Sequence, residues 1–219
     1  MRTSLSFHRA VLTLAVLCLA ACGGKVVTVV DQGGFDAMAR RTAPIMKAKD
    51  ILDSGGAYTT PMLSAFGGAP DDAGHRLAHR LDPAFRFRET DPALLPASFA
   101  DAKALGDRLL IGPYGFVLEQ GAQRVAASLL GLADWSDSGA DAWFVQCRVN
   151  YANGDERTYY LVISDPEAAR YRAEVLGIYD CRGGRCTTYL ESGTGSLPGE
   201  EVVIDLLPGQ QDITAPPAE

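Results

Sequence analysis

The sequence predicts an α+β fold, and three observations predict it: a β-branched stretch early in the chain, a helical-period segment after it, and a C-terminal half of short alternating runs separated by turn residues. Lys25 to Asp31, K-V-V-T-V-V-D, reads as a short first strand. Phe35 to Ser54 reads as helical, because Phe35, Met38, Thr42, Ile45 and Leu52 recur at heptad-like spacing. Pro44 either kinks that helix or starts a second one within its first turn, and Gly55-Gly56 supplies the stop.

From residue 57 to 97 the texture changes to Pro, Gly and Ala, and Pro61, Pro70, Pro83, Pro92 and Pro96 rule out long regular elements. A short helix is expected over Asp72 to Leu81, and another over Phe99 to Leu110. A loop-rich stretch this long inside a compact domain is usually either functional or disordered. Gly115 to Ala133 supports two readings: Val125, Leu129 and Leu132 suit a helix, while Phe116 to Glu119 suits a strand.

The C-terminal half reads as antiparallel sheet. Trp143, Val145, Cys147, Val149 and Tyr151 alternate with Phe144, Gln146, Arg148 and Asn150, a period of two with one more apolar face. Asn153-Gly154 is a strong hairpin signal, and Thr158 to Ser164 returns as the partner strand. Asp165-Pro166-Glu167 opens a short helix to about Arg172, and Glu174 to Cys181 is strand again. The chain then turns through Cys181-Arg182-Gly183-Gly184-Arg185-Cys186, descends over Thr187 to Glu191, and ends its ordered part with a strand over Val202 to Leu207. Six of the eight tyrosines lie between Tyr151 and Tyr189, as expected where aromatic pairs stabilise a half-buried sheet.

The N-terminus carries an address. Arg2 and Arg9 form a basic region, and Ala10 to Ala21 form an apolar run broken only by Thr13. That run suits the core of a signal peptide and is too short to span a membrane, which takes about 20 apolar residues. It ends in Leu19-Ala20-Ala21-Cys22, which resembles the lipobox of bacterial lipoproteins at all four positions. The resemblance implies cleavage before Cys22, diacylglycerol on its thiol and acylation of the freed amine. Each buried methylene contributes about 0.8 kcal/mol, so two or more chains hold a protein stably at a bilayer. Gly23 and Gly24 follow where an Asp would signal inner-membrane retention in enterobacteria, so the resemblance points to the outer membrane, with the folded part facing the periplasm.

The organisation expected is a signal peptide over 1–21, a lipidated tether over 22–24, one α+β domain over 25–207 and a disordered tail over 208–219. Removing Arg2 and Arg9 takes the net charge from −7 to −9. Such an acidic chain is poorly suited to nucleic acid, which selects a basic footprint.

In an oxidising compartment Cys147, Cys181 and Cys186 leave one disulfide as the default. Cys181 and Cys186 flank a four-residue turn, at a spacing a bridge can span, and Cys147 is the competing partner. Closing so short a loop contributes about 2 kcal/mol on the entropy model. The C-x-x-x-x-C spacing does not suit a redox site, which uses C-x-x-C.

Other chemistry is thin. His75 and His79 stand four apart on one predicted helix face, with Asp72 or Asp82 as a third ligand, but Arg76 and Arg80 crowd the turn with positive charge. Asp134, Asp137, Gly139 and Asp141 have the outline of a calcium loop but lack the distal bidentate Glu of an EF-hand. Gly193-Thr194-Gly195-Ser196 lacks the Lys of a phosphate loop, and no Ser lies in a nucleophile elbow. Arg182 and Arg185 form a basic hairpin tip, suited to an anionic partner surface. No cofactor, metal or catalytic set is called for.

The expectation is therefore a lipid-anchored envelope lipoprotein that binds an envelope protein or a small ligand without catalysis, as an accessory or inhibitory subunit. The rivals are a cell-wall hydrolase using paired carboxylates and a structural component of an envelope assembly. Cys22→Ser is expected to leave the precursor unprocessed and to release the protein from the membrane fraction; unchanged processing and membrane retention would refute lipidation.

Overall fold

The computed structural model describes residues 26–64, 68–87, 95–136 and 139–190. The signal peptide expected over 1–21, the tether expected over 22–24 with Cys22, Gly193 to Ser196, the strand expected over Val202 to Leu207 and the tail expected over 208–219 lie outside the described residues. What is described is mostly β-sheet with a few helices, a mixed α+β fold.

The elements in chain order are β1 (Val27–Val29), α1 (Gln32–Arg41), α2 (Ala43–Ala48), β2 (Met62–Ser64), α3 (Ala73–Arg80), a short 3-10 turn (Pro83–Arg86), β3 (Arg108–Ile111), β4 (Gly115–Gln120), β5 (Gln123–Asp134), β6 (Asp141–Tyr151), β7 (Glu156–Ile163), β8 (Glu174–Arg182) and β9 (Arg185–Leu190). All nine strands join one sheet with the path β2-β1-β5-β6-β7-β8-β9, and the β3-β4 hairpin branches from β5. Among the described strands only β1 and β2 pair in parallel.

One edge of β5 serves two partners. Gln123 to Ser128 pair with β4, and Gly131 to Ala133 pair with β1. A register shift between Leu129 and Gly131 separates the halves, and the Leu130 carbonyl accepts hydrogen bonds from the backbone N–H groups of Val30 and Asp31. The bulge also changes which residues face which way. Before it, Val125, Ala127 and Leu129 belong to one core; after it, Leu132 rejoins that core, while Leu130 and Ala133 turn into the other.

The sheet is buried on both sides. On the first face, α3, Phe99 and Tyr171 pack over Trp143, Val145, Cys147, Tyr159 and Leu161. On the second, Phe35, Met38 and Met46 from α1 and α2 pack over Leu130, Phe144, Val162 and Leu176. Phe35 and Trp135 both meet the Phe144 ring edge-on, at 5.5 and 5.4 Å between centroids. Burying a side chain of this size stabilises the fold by about 1.5–3 kcal/mol.

Local chemistry sets the helices. Asp31 caps α1, its carboxylate accepting from Gly34 N–H at 3.0 Å. The helix ends at Thr42, and Pro44 stands in the first turn of α2, so of the two roles open to it Pro44 starts a second helix. That second helix stops at Ala48, well before Gly55-Gly56.

Two other expectations change, and a third that was open is settled. Phe99 to Leu110 is not a helix: Asp101 N–H bonds to Ser98 Oγ and Ala104 N–H to the Asp107 carboxylate, and these local bonds end each turn before β3 begins. Asp165 to Arg172 is irregular, because Asp165 accepts from Glu167 N–H in an Asx turn, and Tyr171 is claimed by a bridge to Leu81. Gly115 to Ala133 resolves as the β4-β5 hairpin, not a helix.

The backbone of α3 lies directly on the β3-β4 turn, with Gly74 N–H donating to the Pro113 carbonyl at 2.8 Å. A Cβ on Gly74 would sit 2.0 Å from the Gly112 carbonyl oxygen and 2.4 Å from that of Gly115. Gly74→Ala is therefore expected to cost about 2–3 kcal/mol in a denaturant melt. The comparison is Gly68→Ala, where the nearest atom is a Thr28 methyl at 3.7 Å; it should move stability by under about 0.5 kcal/mol.

Candidate functional site

The two faces of the sheet are covered unequally. The layer made by α1 and α2 ends where Arg41 and Thr42 meet β7 and β8, and beyond it the second face carries mostly polar side chains. Residues directly opposite on antiparallel strands share a face, so the register lays out this surface in rows. Under the rim of the helix layer run Gly115, Ser128, Gln146, Tyr160 and Gly177. The next row is Leu110, Val117, Ala126, Arg148, Thr158 and Tyr179. The outermost runs from Arg108 through Glu119, Arg124, Asn150 and Glu156 to Cys181 and Cys186.

Arg41 is the best-fixed charge at this junction. As the last residue of α1 it suits the negative end of the helix dipole. Its guanidinium donates to the hydroxyl of the buried Tyr160 and stacks over the Tyr179 ring, 3.5 Å from the centroid. Among the described residues no carboxylate pairs with it. Burial raises the Tyr160 hydroxyl above the ordinary tyrosine value, and the nearby positive charges of Arg41 and Arg148 oppose the rise. Arg148 is half exposed and reaches Glu156 at 3.4 Å. Gln146, only 9% exposed, stands directly opposite Tyr160, one row in from Arg148 on the same face. Gly177 leaves room for the rim, since a Cβ there would lie 3.2 Å from the Thr42 methyl.

None of these residues stood out in the sequence as a site. The signal that was there is the polar run Gln146, Arg148, Asn150 alternating with an apolar face. Gln146 belongs to the more polar set of that run and yet is buried.

The residues singled out from sequence are dispersed. Cys181 and Cys186 stand directly opposite in the β8-β9 hairpin, with sulfurs 2.14 Å and Cα atoms 4.0 Å apart, a disulfide-capable pair. Cys147 is fully buried in the first core, and burial pushes its thiol up to about 12. Arg182 and Arg185 face each other beside the Gly183-Gly184 turn, whose positive φ values of 55° and 80° require glycine-like freedom. Arg182 is not idle: it pairs with Asp180 at 3.0 Å, and Asp180 also takes Arg157 at 2.7 Å. Burial disfavours the Asp180 charge, but these arginines outweigh it and hold the carboxyl below its usual range. The hairpin tip is pinned from below, since Gly183 N–H donates to the Asp155 carboxylate at 3.0 Å.

His75 and His79 are exposed on α3, with ring centroids 4.3 Å apart. Their candidate third ligands are spent elsewhere. Asp72 pairs with Arg76 at 2.9 Å, and the hydrogen bond from Arg76 lowers its carboxyl; Asp82 pairs with Arg170 at 2.9 Å and caps the Ala84 N–H. Asp134 accepts from Gly139 N–H at 2.8 Å across the β5-β6 turn, opposite Asp141, while Asp137 lies outside the described residues. Among the described residues no group of three or more His, Cys, Asp or Glu is placed to hold a metal ion, and no helix is long and apolar enough to cross a membrane.

The chain matches no family model, no curated protein and no solved structure.

Mass mapping of a non-reduced digest is expected to link Cys181 to Cys186 and to leave Cys147 as a thiol that alkylates only after unfolding. A crosslink containing Cys147 would overturn that pairing.

Proposed function

We propose that this protein is an exported bacterial lipoprotein, anchored through lipid on Cys22 at the outer membrane and facing the periplasm, where it acts as a non-catalytic binding module. Its role is that of an accessory or inhibitory subunit for an envelope protein, carried on a single domain with a Cys181–Cys186 disulfide at its outer hairpin. The observation that carries the binding reading is the half-face of the sheet left open beside Arg41. There β3 to β6 present the part-exposed or exposed Leu110, Val117, Ala126, Arg124 and Arg148, while Thr158, Tyr160 and Gly177 on β7 and β8 are buried. A flat, rigid sheet surface of this kind presents a partner with preorganised side chains at little entropic cost. The address rests on the match of Leu19-Ala20-Ala21-Cys22 to the lipobox.

The alternative of a hydrolase with paired carboxylates draws no support from the acids that are buried. Asp82 and Asp180 are each ion-paired to arginine and do not face one another as an acid and a base would.

An affinity capture of the lipidated protein from gently solubilised envelope tests the reading, with the Cys22→Ser form as control. A stoichiometric partner retained by the native protein is the expected result. No partner, together with turnover of cell-wall sugar by the purified protein, would replace it with the hydrolase.

A further inference from the structure

The outer side of α3 carries two histidines one turn apart, and the fold sets their rings side by side. His75 and His79 are both exposed, with ring centroids 4.3 Å apart and planes inclined by 31°. Residues four apart on a helix share a face, so the two imidazoles stand on one stripe. The other side of α3 is fastened down. Ala73, Leu77 and Ala78 are buried in the first core, and Gly74 N–H is bonded to the Pro113 carbonyl. At the far end Asp82 N–H donates to the Tyr171 carbonyl, and Tyr171 N–H donates to that of Arg80. The pair therefore sits on a rigid support instead of a loop.

The two arginines beside the histidines are engaged elsewhere. Arg76 reaches Asp72 at 2.9 Å and Glu167 at 2.8 Å, and Arg80 donates to the Ala168 carbonyl at 3.3 Å and lies over the Tyr171 ring. Both guanidiniums thus follow a stripe about 100° round the helix from the histidines. Arg76 and Arg80 against Asp72 and Glu167 sum to no net charge, and the exposed Asp71 just before the helix adds one negative charge. The positive crowding read from the sequence is cancelled by these acids.

We propose that His75 and His79 form a two-ligand site for a divalent transition-metal ion, copper(II) more tightly than zinc, with water in the remaining positions. Neutral imidazole suits these ions, and copper(II) leads their order of affinity. Two histidines four apart on a helix can both reach one ion. Each ligand nitrogen lies about 2.0–2.1 Å from the metal, so two neighbouring nitrogens stand roughly 3 Å apart. Exposed rings with centroids 4.3 Å apart can reach that separation by turning about their side-chain bonds. Asp72 and Asp82 are committed to Arg76 and Arg170, so the chain supplies two ligands and leaves positions open to exchange. The inference stands apart from the binding-module reading, since α3 covers the first face of the sheet and not the half-face beside Arg41.

The test is calorimetric titration of the purified full chain, free of any histidine tag, with copper(II) and separately with zinc, joined to electron paramagnetic resonance of the copper form. One saturable site per chain is expected, tighter for copper, with couplings from two imidazole nitrogens in the spectrum. His75→Gln and His79→Gln alter exposed side chains, so the variants should keep the parent's circular dichroism. Each should weaken copper binding about tenfold or more, and the double variant should lose the two-nitrogen spectrum. Calcium and magnesium, which take oxygen ligands, should not displace the copper. Absence of saturable binding, or an affinity that both single variants leave unchanged, overturns the site.

Discussion

The structure depends on one irregularity, the bulge between Leu129 and Gly131. A twelve-residue strand with unbroken register would present a single long edge and a fixed alternation of faces. The bulge divides that edge, so β4 takes the first half and β1 the second, and it turns Leu132 into the first core and Ala133 into the core beneath α1. Without it strict alternation would put Leu132 on the second face and Ala133 on the first.

The extent of the helix layer then follows from short-range chemistry. Asp31 starts α1, Thr42 and Pro44 end it and begin another, and the two pieces are long enough to cover Leu130, Phe144, Val162 and Leu176 but not the rows beyond. Arg41 falls at the rim because it is the last residue of α1. The open half-face is thus set by helix length, and its polar character by the side chains that β5, β6 and β7 carry past the rim.

Much of the C-terminal sheet was legible in the sequence. Asn153-Gly154 marked a turn, Trp143 to Tyr151 alternated strictly, and the two cysteines around the glycine pair marked the last hairpin. The β4-β5 region was not legible for a definable reason: Val125, Leu129 and Leu132 are spaced as on a helix because the bulge shifts the inward set from odd to even positions between Leu129 and Leu132. Phe99 to Leu110 misled because apolar spacing says nothing of Ser98 and Asp107, whose side chains capture the backbone donors that a helix needs. At the junction site the polar face of β6 was visible, but Arg41 was not. Its place beside Tyr160 and Tyr179 is a tertiary fact with no periodicity to announce it.

The pairing of β1 with β5 also imposes an order of assembly. Val27 to Val29 pair with Gly131 to Ala133 on one side and with Met62 to Ser64 on the other. A chain delivered N-terminus first holds a β-branched segment for which the antiparallel neighbour has yet to emerge, and contacts that distant in sequence form slowly. Throughout that interval the nearby Met62 to Ser64 are the only sheet partner β1 can find among the described strands, and the antiparallel side of Val27 to Val29 stays unpaired.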